Sequence, residues 1–454
     1  MDGRVYVERQ LATPEAIDTL LNTARKAQLT WRGVPLAERA KFLSRFCEEF
    51  EKRAPAIAEE LTWQMGRPAR YAPSEVRGTL ERARHMIAIG PAALADLDVD
   101  PKEGFRRFVR REPLGVVFTI AAWNYPYLIA VNSVVPALMA GNAVILKHSA
   151  QTPLCAERFA ECFQAADLPP GVFQIVHASH ADTERMIQDP RVDFVAFTGS
   201  VAGGRVVQRA ASSRFIGVGL ELGGCDPAYV RHDADVAHAV ENIVDGAYFN
   251  SGQSCCGLQR IYVHRDVYRK FVDGFVDLAR GYLLGDPREA DTTLGPVVRT
   301  AAADAIRLQI DASVKAGARP AIPESSFARS QRGTPYLAPQ VLLDVDQRMP
   351  VMREEIFGPV AGIMPVGSDD EAVELMNDSD FGLTAAIWTQ DEEAGLRLGA
   401  RVNTGTWFMN RCDYLDPALA WVGVKESGRG CTLSVVGYEH LTRPKSFHLR
   451  TKTS

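Results

Sequence analysis

The chain has 454 residues, enough for about three domain-sized units, and its 46% hydrophobic content is ordinary for a globular protein with a sizeable core. Its 51 basic and 56 acidic residues leave a net charge of -5, which gives no electrostatic footprint for nucleic acid. Eight cysteines without a C-x-x-C pair argue against a disulfide scaffold and a structural zinc site. We therefore expect a cytoplasmic enzyme with reduced thiols and no metal.

The first predicted element is a helix near the start of the chain. Thr13 is a good N-cap, and Pro14 suits the first turn. Ile17, Leu21 and Ala24 then recur at helical spacing, which predicts that this face is buried.

An uncharged run from Pro113 to Leu146 is long enough to span a bilayer. Prolines, asparagines and glycines divide it, and we predict a strand over Gly115–Ala121, a helix over about Leu128–Ala140 and a strand over Ala143–Lys147. Strands without charge on either face are typical of a parallel sheet covered by helices. We favour this reading over a membrane span, and residues 1–10 lack the apolar region of a secretory signal.

The alternation of strand and helix patterns continues along the chain, which favours parallel α/β sheets. The segments with these patterns are Val172–Val176, Asp182–Gln188, Phe194–Phe197, Gly204–Ala211, Pro227–Val230, Val236–Phe249, Arg260–Val263 and Val267–Tyr282. Two further segments, Arg106–Arg111 and Lys445–Arg450, alternate like strands that are polar on one side. They could pair outside the main sheets, for instance between subunits, or be solvated edges.

The first segment with candidate chemistry is Gly252-Gln253-Ser254-Cys255-Cys256, which follows a helix pattern. A thiol in a loop or an early helical turn can be activated by backbone N–H groups and the helix field, and a thiolate attacks carbonyl groups. The alternative is a pair of buried structural cysteines.

Three other segments carry polar groups next to predicted strands. Glu221 stands between two leucines, where its pKa would be raised as a general base requires, although an ion pair with an arginine is equally compatible. Asn124 lies in a turn after a strand and could stabilise an oxyanion, or simply form the turn. Ser200 lies between strand and helix, a plausible phosphate seat, although the chain has no G-x-G-x-x-G at such a junction.

In their order and spacing, these segments make the whole chain resemble the aldehyde dehydrogenase superfamily. Further matching segments are Gly141-Asn142-Ala143-Val144-Ile145-Leu146-Lys147, Glu354-Glu355-Ile356-Phe357-Gly358-Pro359-Val360, Phe381-Gly382-Leu383-Thr384 and Gly423-Val424-Lys425-Glu426-Ser427-Gly428. The resemblance implies two parallel α/β domains, a Rossmann-like cofactor domain and a catalytic thiol domain, with a small bridging β-element. The boundaries expected from it are 1–97 and 113–222 for the cofactor domain, 223–432 for the catalytic domain, and 98–112 and 433–454 for the bridging or oligomerisation element.

The resemblance also implies a reaction, the oxidation of an aldehyde to a carboxylate with NAD or NADP in a homodimer or homotetramer. By position, Cys255 is the nucleophile, Glu221 activates the water that hydrolyses the thioester, and Asn124 stabilises the oxyanion. The residues assigned to the cofactor are Trp123, Lys147, Ala150, Ser200, Gly223, Glu355 and Phe357.

The chain departs from the family pattern at three places. Ala150 stands where many NAD-preferring relatives have a glutamate that contacts the 2′-hydroxyl, so a 2′-phosphate would not be repelled and dual cofactor use is expected. The usual Pro-Gly cofactor loop reads His177-Ala178-Ser179-His180. The usual Pro-Phe-Gly-Gly reads Ala420-Trp421-Val422-Gly423, which changes the wall of the substrate tunnel.

The substrate is less well defined. The residues expected to face the tunnel are Tyr127, Leu128, Val131 and Asn132 on the helix, and Leu415 on the segment that begins at Asn410. Family members that act on acidic semialdehydes carry a basic residue in the tunnel. Since Asn132 and Ser133 are neutral, Arg411 is the candidate to bind a substrate anion, and an Arg411–Asp413 surface pair is the alternative.

Two other functions stay open at this point, one catalytic and one non-catalytic. A CoA-acylating relative would pass the acyl group to CoA, but such relatives often lack the base that Glu221 matches. A non-catalytic binding protein on the same fold is disfavoured, because Cys255, Glu221 and Asn124 are all present.

Overall fold

The computed structural model describes residues 4–452. Over these residues the chain forms fifteen α-helices: α1 Pro14–Trp31, α2 Leu36–Lys52, α3 Ala54–Met65, α4 Ala72–Ala93, α5 Pro126–Ala140, α6 Pro153–Ala165, α7 His180–Gln188, α8 Val201–Ala211, α9 Val236–Tyr248, α10 Arg265–Arg280, α11 Thr300–Lys315, α12 Pro350–Arg353, α13 Asp369–Asn377, α14 Glu392–Gly399 and α15 Ser434–His440.

Within the same range, eighteen strands alternate with the helices: β1 Leu97–Asp98, β2 Phe105–Pro113, β3 Val116–Ala121, β4 Ala143–His148, β5 Phe173–Ile175, β6 Phe194–Thr198, β7 Gly217–Glu221, β8 Asp226–Val230, β9 Leu258–His264, β10 Arg319–Pro320, β11 Gln340–Leu343, β12 Val360–Val366, β13 Phe381–Gly382, β14 Thr384–Trp388, β15 Thr406–Met409, β16 Val424–Lys425, β17 Gly428–Arg429 and β18 Thr442–Arg450. Short 3₁₀ turns at Phe249–Gly252 and Glu324–Ser326 complete the regular structure of this part of the chain.

The first helix begins where its sequence predicts. The Thr13 hydroxyl accepts a hydrogen bond from the Ala16 N–H at 3.3 Å, and Pro14 occupies the first turn of α1. Ile17, Leu21 and Ala24 are buried, as their spacing indicates. Thus α1 packs one apolar face against the sheet that contains β3 and β4.

A six-stranded sheet contains the strands of the first half of the chain in the order β17-β7-β6-β3-β4-β5. The five strands β7, β6, β3, β4 and β5 run parallel to one another, and the edge strand β17 pairs antiparallel with β7. Every residue of β3 and β4 is buried, as predicted for parallel strands covered by helices, and this includes Lys147 near the end of β4. The helix between them begins at Pro126, slightly before the predicted start.

A seven-stranded sheet contains the strands of the second half in the order β10-β11-β12-β9-β8-β14-β15. All neighbours are parallel except β10, which pairs antiparallel with β11. The two large sheets confirm the predicted parallel α/β class. Separate apolar cores lie on the faces of each sheet.

The two strand-like edges noted in the sequence pair with each other. Strand β18 lies antiparallel to β2 along nine residue pairs, from Thr442–Pro113 to Arg450–Phe105, and β1 adds a third strand. The Phe108 and Phe447 rings stack across this sheet with their centroids 4.6 Å apart. A two-stranded sheet joins β13 to β16. Among residues 4–452, no helix combines the length and apolar character needed to cross a membrane.

Candidate active site

The three residues predicted to carry the chemistry come from three different segments. Asn124 lies between β3 and α5, Glu221 ends β7, and Cys255 lies between the 3₁₀ turn and β9. Glu221 and Cys255 line one cavity of about 400 Å³, called the central pocket below. Asn124 is only 5% exposed and contacts the segment that precedes Cys255. The fold therefore brings a thiol, a carboxylate and an amide to one place.

The backbone before Cys255 has an unusual conformation. Asn250, Ser251 and Gly252 have consecutive φ values of 54°, 57° and 69°, in the left-handed region. A Cβ at Gly252 would lie 2.1 Å from the Gly358 carbonyl oxygen, so this turn packs directly on the loop before β12. Cys255 itself is half-buried in a turn, and the next described element is β9 and not a helix, so its activation cannot come from a helix N-terminus.

Gln253 fixes the position of the Asn124 amide. Asn124 Nδ2 donates to the Gln253 carbonyl oxygen at 3.2 Å, and Asn250 Nδ2 donates to the same oxygen at 3.2 Å. The Val298 N–H in turn donates to Gln253 Oε1 at 2.7 Å. Because a side-chain amide has two N–H groups, the bond to Gln253 orients Asn124 and leaves its second N–H for another acceptor. An oxyanion formed at Cys255 would be such an acceptor.

Glu221 is held by two hydroxyl groups. Thr198 Oγ1 donates to its Oε2 at 3.0 Å, and Thr432 Oγ1 donates to its Oε1 at 2.6 Å. Burial raises the pKa of Glu221, while the two hydroxyls and the nearby Arg82 guanidinium oppose this shift. The raised pKa has the direction that a general base near neutral pH requires.

The residues predicted to bind the cofactor do not line the central pocket. The Trp123 and Phe357 rings meet edge to face with centroids 5.7 Å apart. Glu355 Oε1 accepts the Gly224 N–H at 3.0 Å, and burial raises the pKa of Glu355 to about 7. A Cβ at Gly223 would lie 2.1 Å from Glu355 Oε2, so a larger residue there would displace this carboxylate. A carboxylate accepts hydrogen bonds from ribose hydroxyls, and the two aromatic rings offer apolar surface to a flat ring.

Two further residues assigned to the cofactor, Ser200 and Lys147, lie where donor groups are available. Ser200 caps α8, and its hydroxyl accepts the Gly203 N–H at 3.2 Å, so the first turn of this helix begins at the carboxyl edge of the sheet. Such a helix start suits a phosphate group. Lys147 at the end of β4 is 9% exposed, and burial lowers its pKa. No carboxylate among residues 4–452 pairs with it, so its amine is available to a hydroxyl or phosphate group. These donors and the Glu355 carboxylate fit a nicotinamide dinucleotide.

Ala150 follows Lys147 by three residues and lines a different, larger cavity of about 740 Å³. Its neighbour Gln151 donates from Nε2 to the Gln64 carbonyl oxygen at 2.8 Å, which ties the loop after β4 to α3. The side chain at 150 is therefore a methyl group facing open space, in which a larger residue could be accommodated.

Two of the four residues assigned to the substrate line the central pocket. They are Asn132 on α5 and Leu415 on the segment after β15. The prediction for Tyr127 is wrong: its ring is fully buried, and its centroid lies 5.2 Å from that of Phe50 and 5.5 Å from that of Phe159. Residues 127 and 132 lie five apart on a helix, about 140° around its axis, so both cannot face the same pocket.

Arg411 also lies outside the central pocket. It is exposed, and its guanidinium carbon lies 4.0 Å from the centroid of the Tyr414 ring. Asp413, the partner considered for it, turns instead toward Ser254 and Cys256. Thus neither the substrate role nor the surface pair expected for Arg411 matches its position.

Three arginines line the central pocket, Arg67, Arg77 and Arg82, and the sequence reasoning missed all of them. Arg77 is exposed, whereas Arg82 on α4 is buried. It is 8% exposed and donates to the Leu128 carbonyl oxygen at 3.0 Å and to Asn132 Oδ1 at 3.2 Å. Within residues 4–452, no carboxylate forms an ion pair with it. By contrast, the other deeply buried arginine of the pocket, Arg67, pairs with Glu75. The sequence carried one sign of this position, because Arg82 lies among apolar residues of α4 that are buried, such as Leu80, Ala83 and Met86.

Comparison with known proteins was consistent with this site. The model of the aldehyde dehydrogenase family matches residues 1–447. Succinate-semialdehyde dehydrogenase [NADP(+)] 1 of Mycobacterium tuberculosis is 33% identical over 437 residues, which cover 96% of this chain and 95% of that protein. An NAD(P)+ succinate semialdehyde dehydrogenase of Escherichia coli K12 is 33% identical, with 94% and 91% covered. The structure of succinic semialdehyde dehydrogenase from Streptococcus pyogenes with NADP+ superposes with a TM-score of 0.93 at 26% identity, covering 98% of this chain and 97% of the other.

Proposed function

Because this chain belongs to the aldehyde dehydrogenase family, whose members oxidise aldehydes with NAD or NADP, we propose that it oxidises a short aldehyde that carries a carboxylate at its far end. Succinic semialdehyde, named for the relatives above, is such a compound. The observation that carries the proposal is the buried Arg82 in the central pocket. A guanidinium without an ionic partner is costly to bury, and a substrate carboxylate would supply that partner.

The residues of the site support a covalent mechanism. The Cys255 thiolate adds to the aldehyde carbon, and the resulting oxyanion receives hydrogen bonds from Asn124 Nδ2 and the Cys255 backbone N–H. The cofactor, when bound, supplies a hydride acceptor, and loss of hydride leaves a thioester on Cys255. Glu221 then takes a proton from water as the water attacks the thioester, which releases the carboxylate product and restores the thiol.

Each residue assigned to the cofactor has a proposed role. Glu355 and Lys147 bind ribose hydroxyls, Ser200 contacts the pyrophosphate at the start of α8, and Trp123 and Phe357 enclose the nicotinamide end. Gly223 keeps the space beside Glu355 free of a side chain. Ala150 leaves room without negative charge beside the adenosine ribose, which favours the use of both NAD and NADP.

We propose that residues 1–97 and 113–222 form the cofactor domain and residues 223–432 the catalytic domain. Residues 98–112 and 433–454 form the bridging element. The three-stranded sheet supports a role in assembly, because the outer edge of β18 carries unpaired backbone groups over nine residues. A homodimer or homotetramer built on this edge is proposed. All eight cysteines are free, which suits the reducing cytoplasm.

No observation favours transfer of the acyl group to CoA or a non-catalytic role. Glu221 is buried beside the thiol and keeps the raised pKa of a base, which supports hydrolysis.

The test compares kcat/KM for succinic semialdehyde and butanal, which have equal chain lengths and differ in the terminal charge. The wild type should prefer the anionic substrate by about a hundredfold or more, and Arg82→Gln should lose most of this preference, since a buried charge pair is worth about 2–5 kcal/mol. If the loss of Arg82 also changes the pKa of Glu221, both substrates are affected equally. The ratio of their kcat/KM values within one enzyme is then unchanged by that effect. Arg411→Gln is the matched control and should keep the preference. Equal use of both aldehydes by the wild type, or an unchanged ratio in Arg82→Gln, would overturn the proposal.

A further inference from the structure

Asp413 has a backbone conformation that directs its side chain inward. It lies on the segment after β15 with φ of 48°, in the left-handed region that few residues other than glycine, asparagine and aspartate adopt. Its neighbours Arg411 and Tyr414 stack on each other at the surface. Asp413 itself lines the central pocket. The left-handed backbone at Asp413 thus turns its carboxylate into the pocket two residues after the exposed Arg411.

This carboxylate bonds to both residues that flank Cys255. Asp413 Oδ1 accepts from Ser254 Oγ at 3.2 Å and from Cys256 Sγ at 2.9 Å. Ser254 Oγ and Cys256 Sγ lie 3.5 Å from each other, so the three side chains form a closed triangle. The residue between the two donors is the proposed nucleophile, Cys255, whose side chain also interacts with that of Cys256.

The surroundings keep Asp413 in this position. Burial raises the pKa of Asp413 to about 6, and the hydrogen bonds from Cys256 and Ser254 oppose that shift. The charged neighbours are Asp245 on α9, which raises the pKa further, and Arg67, which lowers it. Arg67 packs over the Tyr125 ring and forms an ion pair with Glu75. It therefore does not compete with Ser254 and Cys256 for the Asp413 carboxylate.

We propose that Asp413 is a positioning residue for the nucleophile, which holds Ser254 and Cys256 by one oxygen so that the Cys255 thiol faces the central pocket beside Asn124. The inference rests on the proposed function only in taking Cys255 as the nucleophile. Asp413 does not contact the reacting atoms and acts through the two side chains that flank them. A displacement of the nucleophile by about 1 Å can lower a rate a hundredfold, so such a restraint is worth testing by kinetics.

Two variants distinguish the role of the hydrogen-bond acceptor at position 413 from the role of its negative charge. Asp413→Asn keeps an oxygen that can accept from Ser254 and Cys256, whereas Asp413→Ala removes it. We expect Asp413→Ala to lower kcat at least tenfold with the KM for the cofactor unchanged, and Asp413→Asn to restore kcat to within about threefold of the wild type. The double variant Ser254→Ala/Cys256→Ala removes the donors while Asp413 stays, and it should reproduce the loss if Asp413→Ala does not fold.

A second readout is independent of the aldehyde. The thiol of Cys255 can be acylated by p-nitrophenyl acetate, and the released p-nitrophenolate measures that step without cofactor or Arg82. Asp413→Ala should slow the acylation at least tenfold, and Asp413→Asn should not. If the wild type proved inactive on semialdehydes while this pattern held, the substrate proposal would fail and the positioning role would stand. Acylation by Asp413→Ala within twofold of the wild type, or an equal loss in Asp413→Asn, would overturn it.

Discussion

Thr432 Oγ1 donates a hydrogen bond of 2.6 Å to Glu221 Oε1, although the two residues lie 211 positions apart in the chain. The bond is possible because β17, just before Thr432, pairs antiparallel with β7, which ends at Glu221. Thr198 holds the other carboxylate oxygen. The ionised form of Glu221 is thus stabilised by hydroxyls and destabilised by burial, and its pKa is set by the balance of the two.

Removing the hydroxyl at 432 should shift the pH dependence of turnover. The bond favours the charged form, so Thr432→Val should raise the pKa of Glu221 and move the acid limb of kcat to higher pH. A hydrogen bond to a charged group contributes about 1.5–3 kcal/mol, which corresponds to roughly one pH unit or more. The measurement is kcat against pH at saturating substrate. Thr432→Ser keeps the hydroxyl and should keep the wild-type pH profile. An unchanged profile in Thr432→Val would show that the Thr432 hydroxyl does not lower the pKa of Glu221.

Replacing Glu221 by glutamine should separate the two halves of the reaction. Formation of the thioester does not need the base, so a first turnover of NAD(P)H should still appear in Glu221→Gln. Steady-state turnover should fall by about a hundredfold to ten-thousandfold, the usual contribution of a general base. Stopped-flow absorbance at the nicotinamide band measures both phases. A variant that lost the first turnover as well would show that Glu221 acts before the thioester forms.

The residue at position 150 should determine cofactor preference. The wild type, with Ala150, should use NADP with a kcat/KM less than about a thousandfold below that for NAD, a gap of about 4 kcal/mol. Ala150→Glu places a carboxylate where the 2′-phosphate would bind, and it should lower kcat/KM for NADP at least about tenfold relative to NAD. Ala150→Gln adds similar bulk without charge and should have a smaller effect. A larger NAD preference in the wild type would refute this reading.

Asp226 should make the stability of the protein depend on pH. Thr384 donates to Asp226 Oδ2 from its N–H at 3.0 Å and from its hydroxyl at 2.5 Å, and burial raises the pKa of Asp226 to about 8. Between its ordinary pKa and this value, the unfolded chain releases the proton and the folded chain keeps it. Stability is therefore lost as pH rises from about 4 to 8.

The variant Asp226→Asn keeps an acceptor for Thr384 and does not titrate. Its Tm relative to the wild type should rise between pH 5 and pH 8. Thermal unfolding at several pH values measures this difference. A difference that stays constant across the range would mean that Asp226 is ionised in the folded protein.

The sequence predicted the elements that depend on local pattern. Strands β3 and β4 were recognised because they lie in an apolar run that is uncharged up to Leu146, and α1 because Thr13 and Pro14 define its start. The pairing of β2 with β18 was open, since an amphipathic strand pattern does not specify its partner.

The parts that failed depend on contacts between distant segments. Tyr127 and Asn132 lie on one short helix, and only the packing of α5 against α2 and α6 determines which of them reaches the pocket. Arg82 lies about 170 residues before Cys255, on a helix with no motif of its own. A charged residue on a face that is otherwise buried is the only local sign of its role, and that sign does not identify the ligand.

At the outer end of the central pocket, Tyr414 donates to the exposed Glu81 at 3.0 Å, which joins the segment after β15 to α4. A hydrogen bond exposed to water contributes only about 1 kcal/mol, because water competes for both partners. This bond alone therefore does little to hold the segment after β15, and with it Asp413 and Leu415, against α4, which carries Arg82.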